Sequence, residues 1–148
     1  LPPVLVPGGL LMFTTFGPDT LKELRSSWRQ VDDRLHVNDF ADMHDIGDLL
    51  VRAGLRNPVL DVDRLTVTYE RADALFADLT ATGARNALAG RSRGLAGKAR
   101  FGAMTQALYA GDRIRLDLEL VYGHCWGAGR KNDAGEFRVD ARKITRRR

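Results

Sequence analysis

The sequence predicts an α/β fold whose first strand belongs inside a sheet. Three observations carry that expectation. Gly9 to Phe16 (Gly-Leu-Leu-Met-Phe-Thr-Thr-Phe) is apolar on both faces, as in a parallel strand covered by helices on either side. Strand-like and helix-like stretches then alternate along the chain. Later, Ile114, Leu116, Leu118, Leu120 and Tyr122 alternate with Arg115, Asp117 and Glu119, the strongest strand pattern present.

Taken in order, Val6-Pro7-Gly8-Gly9 is a turn feeding the first strand, and Gly17-Pro18-Asp19 punctuates its end. Leu21, Leu24, Trp28 and Val31 then form one helical stripe, with Asp19 or Thr20 as N-cap. Residues 33–41 are irregular. Asp42 caps the clearest helix, where Ile46, Leu49, Leu50 and Ala53 repeat at helical spacing and Gly54 sits at the left-handed C-terminal position. Val59, Leu60 and Val62, then Leu65, Val67 and Tyr69, read as strand, and the change of phase at Asp63-Arg64 suggests a bulge. Ala72, Leu75, Phe76 and Leu79 mark a helix ending near Gly83. Residues 83–97 read as a Gly- and Arg-rich loop, and Phe101, Met104 and Leu108 as a short helix. After the strand at 114–122, residues 127–136 are a polar turn, and Phe137 to Ile144 predicts a last, exposed strand. No repeat is present. Only one parallel neighbour is on offer for the first strand, so the chain reads as the second half of a larger sheet.

The 148 residues suit a single domain, and 44% hydrophobic with 28% charged residues fits a globular class rather than disorder. The best apolar run, Val4 to Phe13, is interrupted by Pro7-Gly8-Gly9 and is too short for a membrane span; no basic stretch precedes it, so no secretory signal is expected. Cys125 is the sole cysteine, which leaves no internal disulfide and points to a reducing cytoplasm. The net charge of +4 is uneven: residues 1–84 hold 8 basic and 13 acidic side chains, 85–116 hold 7 and 1, and 130–148 hold 8 and 3. Two basic blocks suggest an anionic partner. Against that, 19 of the 23 basic residues are Arg, which coding-DNA composition explains equally well.

Several motifs fail on inspection. Gly127-Ala-Gly129 lacks the third glycine of a dinucleotide loop (Asn132 stands there), and no helix pattern follows. Gly94 to Lys98 has Ser92 where a phosphate loop needs glycine and Ala99 where it needs Ser or Thr. His36, Asn38, Asp39, Asp42, His44 and Asp45 offer metal-ligand types, but helix capping accounts for Asp42 and Asp45, so no metal is assigned. No Gly-x-Ser-x-Gly elbow exists, and His124 and Cys125 fall on opposite faces of a strand. Thr14, Thr15 and Phe16 remain as candidates, because ligands bind outside the carboxyl ends of strands in open α/β sheets. Thr is also simply a good strand former.

The run from Pro7-Gly8-Gly9 through Thr14-Thr15-Phe16-Gly17-Pro18-Asp19-Thr20-Leu21, with Trp28, His36-Val37-Asn38-Asp39-Phe40 and Asp42-Met43-His44-Asp45-Ile46-Gly47, resembles the malonyl-acyl-carrier-protein O-methyltransferases of biotin synthesis. Gly83-Ala84-Arg85-Asn86, Gly90-Arg91-Ser92-Arg93-Gly94-Leu95, Gly97-Lys98 and Val121-Tyr122-Gly123-His124 fit the same family, and the match weakens after Trp126.

The resemblance implies the C-terminal part of a class I, Rossmann-like methyltransferase of seven strands. Residues 9–16 would be its fifth strand, 59–69 its sixth, and 114–124 its seventh, antiparallel and inserted between them. Residues 71–110 would form a helical lid insertion over the substrate site, and 130–148 a basic tail. The cofactor is S-adenosylmethionine, whose main binding motif lies in earlier strands missing from this chain, so the chain alone is expected to be inactive. Thr14, Thr15 and Phe16 are then candidates on the cofactor side. Arg85, Asn86, Arg91, Arg93 and Lys98 are candidates for the substrate carboxylate or for docking malonyl-acyl-carrier protein. Methyl transfer needs in-line placement more than acid–base chemistry, and no catalytic residue is assigned. Two alternatives are a related mitochondrial complex I assembly factor that modifies a protein arginine, and a non-enzymatic basic module binding nucleic acid. Few aromatics interleave the basic residues, which weighs against the latter.

Overall fold

The computed structural model describes residues 5–84 and 97–128. In chain order the elements are β1 (Leu10–Phe16), α1 (Lys22–Arg29), α2 (Met43–Arg52), β2 (Arg56–Tyr69), α3 (Ala72–Ala81), α4 (Lys98–Leu108), β3 (Tyr109–Ala110) and β4 (Arg113–Trp126). The strand expected at 137–144 and the basic tail lie outside the described residues, as do Arg85, Asn86, Arg91 and Arg93.

β4 is the central strand, antiparallel to β1 on one side and to β2 on the other, so β1 and β2 run parallel with β4 between them. Phe13, Gly123 and Leu60 stand in one row across the sheet. This is the insertion expected of the strand at 114–124. β1 pairs with β4 as the resemblance implied, and among the described residues its far edge has no partner. It departs from a strand covered on both faces in leaving one face open. Leu10, Met12 and Phe16 on one of its faces are exposed.

The phase change in β2 is real, but it is not a bulge at 63–64. Register runs unbroken from Val59 opposite His124 to Tyr69 opposite Ile114; the irregularity falls at Arg56/Val59, where Asn57 has φ 49°. The buried face switches because different helices cover the two ends of the strand. Leu60 and Val62 are half-buried at the end against α2, where Gly47 lets the helix lie close to Leu60. Val67 and Tyr69, one phase later, pack on the core formed by Leu24, Trp28, Val37, Leu75, Met104, Leu108, Ile114 and Leu116. β4 shows the same switch: Ile114 and Leu116 are buried at one end, Val121, Gly123 and Cys125 at the other. Phe13 and Leu60 crowd Gly123 so closely that a Cβ there would lie 2.7 Å from Leu60 Cδ2.

The helices follow their patterns with two corrections, one in the N-cap of α1 and one in the stripe of α2, where Ile46 and Leu50 are half-buried but Leu49 and Ala53 are exposed. α2 is capped by Asp42, whose carboxylate accepts the His44 backbone N–H at 2.7 Å, and Gly54 takes φ 81° just past its end. α1, however, is not capped by Asp19 or Thr20: its N-cap is Leu21, left-handed at φ 56° and without a side-chain cap. Asp19 and Thr20 are engaged with β4 instead. Among the described residues no helix is long and apolar enough to cross a membrane.

Candidate functional site

The carboxyl end of β1 carries the candidates Thr14, Thr15 and Phe16, and two structured loops meet there. In the first, Gly17-Pro18-Asp19-Thr20 clamps onto Glu119, which is only 7% exposed. The Gly17 N–H donates to the Glu119 carbonyl (2.9 Å), the Asp19 N–H to its carboxylate (2.9 Å), and the Thr20 hydroxyl and Glu119 exchange donor and acceptor at 3.0 Å both ways. Each otherwise unpaired polar group of the turn thereby finds a partner. Glycine is required at 17 because a Cβ would sit 2.6 Å from Glu119 Cδ. Leu21 continues the contact by donating its N–H to the Asp117 carbonyl. Hydrogen bonds from Thr66 and Lys22 hold the Asp117 carboxyl below the usual carboxylate range.

The second loop, residues 31–42, folds back over α1. Phe40 meets Phe16 edge-on, with ring centres 5.6 Å apart. Arg25 crosses from α1 to donate to the carbonyls of Pro18 (3.4 Å) and Asn38 (3.1 Å), tying the loops together. Trp28 stacks on His36 at 3.7 Å between centres and 9° between planes, and His36 Nε2 lies 2.7 Å from Asp32 Oδ1. Burial works against the Asp32 charge, yet the hydrogen bonds from His36 and the Arg34 N–H prevail and keep its carboxyl below its ordinary range. Arg100 of α4 lies 3.7 Å from the other Asp32 oxygen, which ties α4 to this loop by charge, while Phe101 packs against Trp28 of α1 and Phe76 of α3.

Strand alternation separates the candidate residues on β1. Thr14 lines an open concavity of about 610 Å³ on the uncovered sheet face, with Met12, Val59, Asp61, Tyr122 and His124. Thr15 belongs to the opposite face, in register with Val121, and Phe16 closes on Phe40. Lys98 is exposed at the start of α4. The ligand-type cluster is spread out: His36 turns to Asp32 and His44 to Asp42, and no group of three His, Cys, Asp or Glu among the described residues is placed to hold a metal. Cys125 is buried, on the face opposite the His124–Trp126 ring pair.

In the turn after β1 the backbone N–H groups of Gly17, Asp19 and Leu21 all donate to β4. Sequence reasoning missed Glu119, Arg25 and the Asp32–His36–Trp28 group. Glu119 reads as one polar residue of an alternating strand, and its partners lie about a hundred residues away. The stack of Trp28 on His36 had a local signal, a spacing of eight residues after a helix, but no rule makes that spacing specific.

No family model matches the chain. Among curated proteins, it is 51% identical over 126 residues to the malonyl-[acyl-carrier protein] O-methyltransferase of Gallionella capsiferriformans, covering 83% of this chain and 43% of the relative. Against the enzyme of that name from Halorhodospira halophila it is 44% identical over 155 residues, covering 98% of this chain and 52% of the relative. For malonyl-[acyl-carrier protein] O-methyltransferase 1 of Coxiella burnetii the figures are 43% over 152 residues, 97% and 53%. The chain spans about half the length of the curated relatives it matches.

Proposed function

We propose that this chain, which resembles the C-terminal half of the malonyl-[acyl-carrier protein] O-methyltransferases, is the substrate-side portion of an enzyme that methylates the free carboxyl of malonyl-acyl-carrier protein in biotin synthesis. Identity of 43–51% over most of the chain carries this reading. The strand order β1–β4–β2 with its central antiparallel strand is compatible with it.

S-Adenosylmethionine would supply an electrophilic methyl group from the other half of such an enzyme. The residues of this chain receive the acyl group and its carrier. We assign Thr14 and Phe16, at the carboxyl end of β1, to the wall of the ligand crevice; Thr15, on the other face, supports the strand. The basic block with Arg85, Arg91, Arg93 and Lys98, together with Asn86, would face the substrate carboxylate or the acidic carrier protein. Carrier contacts at an exposed rim would weaken with salt. Residues 71–110 act in this reading as a lid, whose α4 is fastened to the loop at 31–42 by Arg100 and to α1 by Phe101.

The test is methyl transfer from labelled S-adenosylmethionine to malonyl-acyl-carrier protein by the natural gene product that contains this chain. Methylation of the malonyl but not the acetyl form is expected; no transfer to either would overturn the reading. The 148-residue chain by itself is expected to bind S-adenosylmethionine weakly or not at all, and a micromolar Kd by calorimetry would contradict the half-enzyme assignment.

A further inference from the structure

One cation at the carboxyl end of β1 is short of partners. The Arg25 side chain is 19% exposed, yet its two hydrogen bonds go to neutral carbonyls, those of Pro18 and Asn38. Its Nε is buried without a hydrogen-bond partner, and so is the side-chain oxygen of Asn38. Among the described residues the one acidic group in contact is Asp39, whose Oδ1 lies 3.7 Å from Nε on a side chain 79% exposed. A guanidinium offers five donors in a planar fork that matches a carboxylate. Here Nη1 and Nη2 each donate to a carbonyl while the buried Nε donates to none, and withdrawing such a charge from water is costly unless it is well paired.

We propose that Arg25 reads the carboxylate of the acyl substrate, and that Asp39 is an internal stand-in which the substrate carboxylate displaces. The inference rests on the carboxyl-methyltransferase reading above. Asp39 already presents a carboxylate to the guanidinium, but at a distance too long for a hydrogen bond. Its exposure lets it swing into solvent when a better-placed carboxylate arrives. Phe16 and Phe40, close in sequence to Pro18 and Asp39, meet edge-on. An acid is thereby distinguished from its ester: the ester keeps the shape of the acyl group but loses the charge that Arg25 pairs. Once methylated, the product no longer competes with Asp39, which favours its release.

The experiment measures binding of malonyl-pantetheine and of its methyl ester by calorimetry, using the natural gene product. The free acid is expected to bind about tenfold tighter than the ester, the equivalent of one charge-assisted hydrogen bond. Arg25→Gln removes that preference. Asp39→Asn strengthens binding of the acid about threefold and leaves the ester unchanged, since the competing charge has gone. Equal binding of acid and ester overturns the proposal, as does a preference that survives Arg25→Gln. If Arg25→Gln does not fold, Asp39→Asn decides alone: a residue that merely clamps the loops through Arg25 predicts unchanged or weaker binding of the acid. Methyl transfer enters none of these readouts, so an inactive enzyme that still prefers the acid would sink the proposed function and not this inference.

Discussion

At Gly17 a single hydrogen atom in place of a methyl group decides whether the end of β1 can close on β4. The Cβ of an alanine would lie 2.6 Å from Glu119 Cδ and 2.8 Å from its Cγ. That side chain cannot simply withdraw, because its carboxylate is held by the Asp19 N–H inside a buried turn. Gly17→Ala is therefore expected to destabilise the chain by about 1–3 kcal/mol, as other overpacked sites do. The cost should not add to that of shortening the neighbour: in a Glu119→Ala background there is room for the new methyl, and the penalty should fall below about 1 kcal/mol. Urea unfolding of the four proteins in this cycle measures both figures; full additivity would mean that the clamp does not exist in solution. None of this was legible in the sequence. Gly-Pro-Asp-Thr reads as a turn with a helix cap because those are the local uses of these residues, whereas here the partner of the turn is a strand residue 99 or 100 positions away.

Among the elements, α2 shows how far local rules reach. Its cap and terminal glycine are short-range signals realised at the expected positions, whereas of the apolar repeat only Ile46 and Leu50 are half-buried and Leu49 and Ala53 are exposed. Asp42→Ala should lower Tm by roughly 3 °C at neutral pH, typical of a lost N-cap. The backbone N–H of His44, and then its side chain, hold the Asp42 carboxyl below its ordinary value. A depressed carboxylate contributes stability that is present above the unfolded-state pKa and lost as pH falls through the lower folded-state value. The difference in Tm between wild type and Asp42→Ala should thus be constant near neutrality and shrink below about pH 4; a difference independent of pH would exclude the ionised cap. The strands were less legible. Their hydrophobic repeats were visible, but the phase change in β2 admits two causes, a bulge or a change of covering helix. Only the packing of α2 on one end and of α1, α3 and α4 on the other distinguishes them. For the site, the sequence singled out the strand end at 14–16 without its second wall, because residues 31–42 have no periodicity from which to place Asn38 or Phe40 beside it.

The molecule as a whole is well packed at one end of the sheet and open at the other. Leu10, Met12, Val59 and Tyr122 stand exposed on one face, and among the described residues the outer edge of β1 has no neighbouring strand. Such an edge, backed by apolar side chains, is a template for pairing with another chain. The 148-residue chain should therefore associate as its concentration rises, through β1. Met12 is the residue on which to test this, since it is 73% exposed on that face. Met12→Lys places a charge on the edge strand, which opposes strand addition. It should lower the average mass in sedimentation equilibrium while leaving Tm within about 2 °C, since an exposed substitution changes stability little. A wild-type chain that stays monomeric at every concentration would show that the face is covered from within the chain. Association that persists in Met12→Lys would move the contact away from β1. A large fall in Tm would mean that Met12 is packed in solution, contrary to its place on the open face.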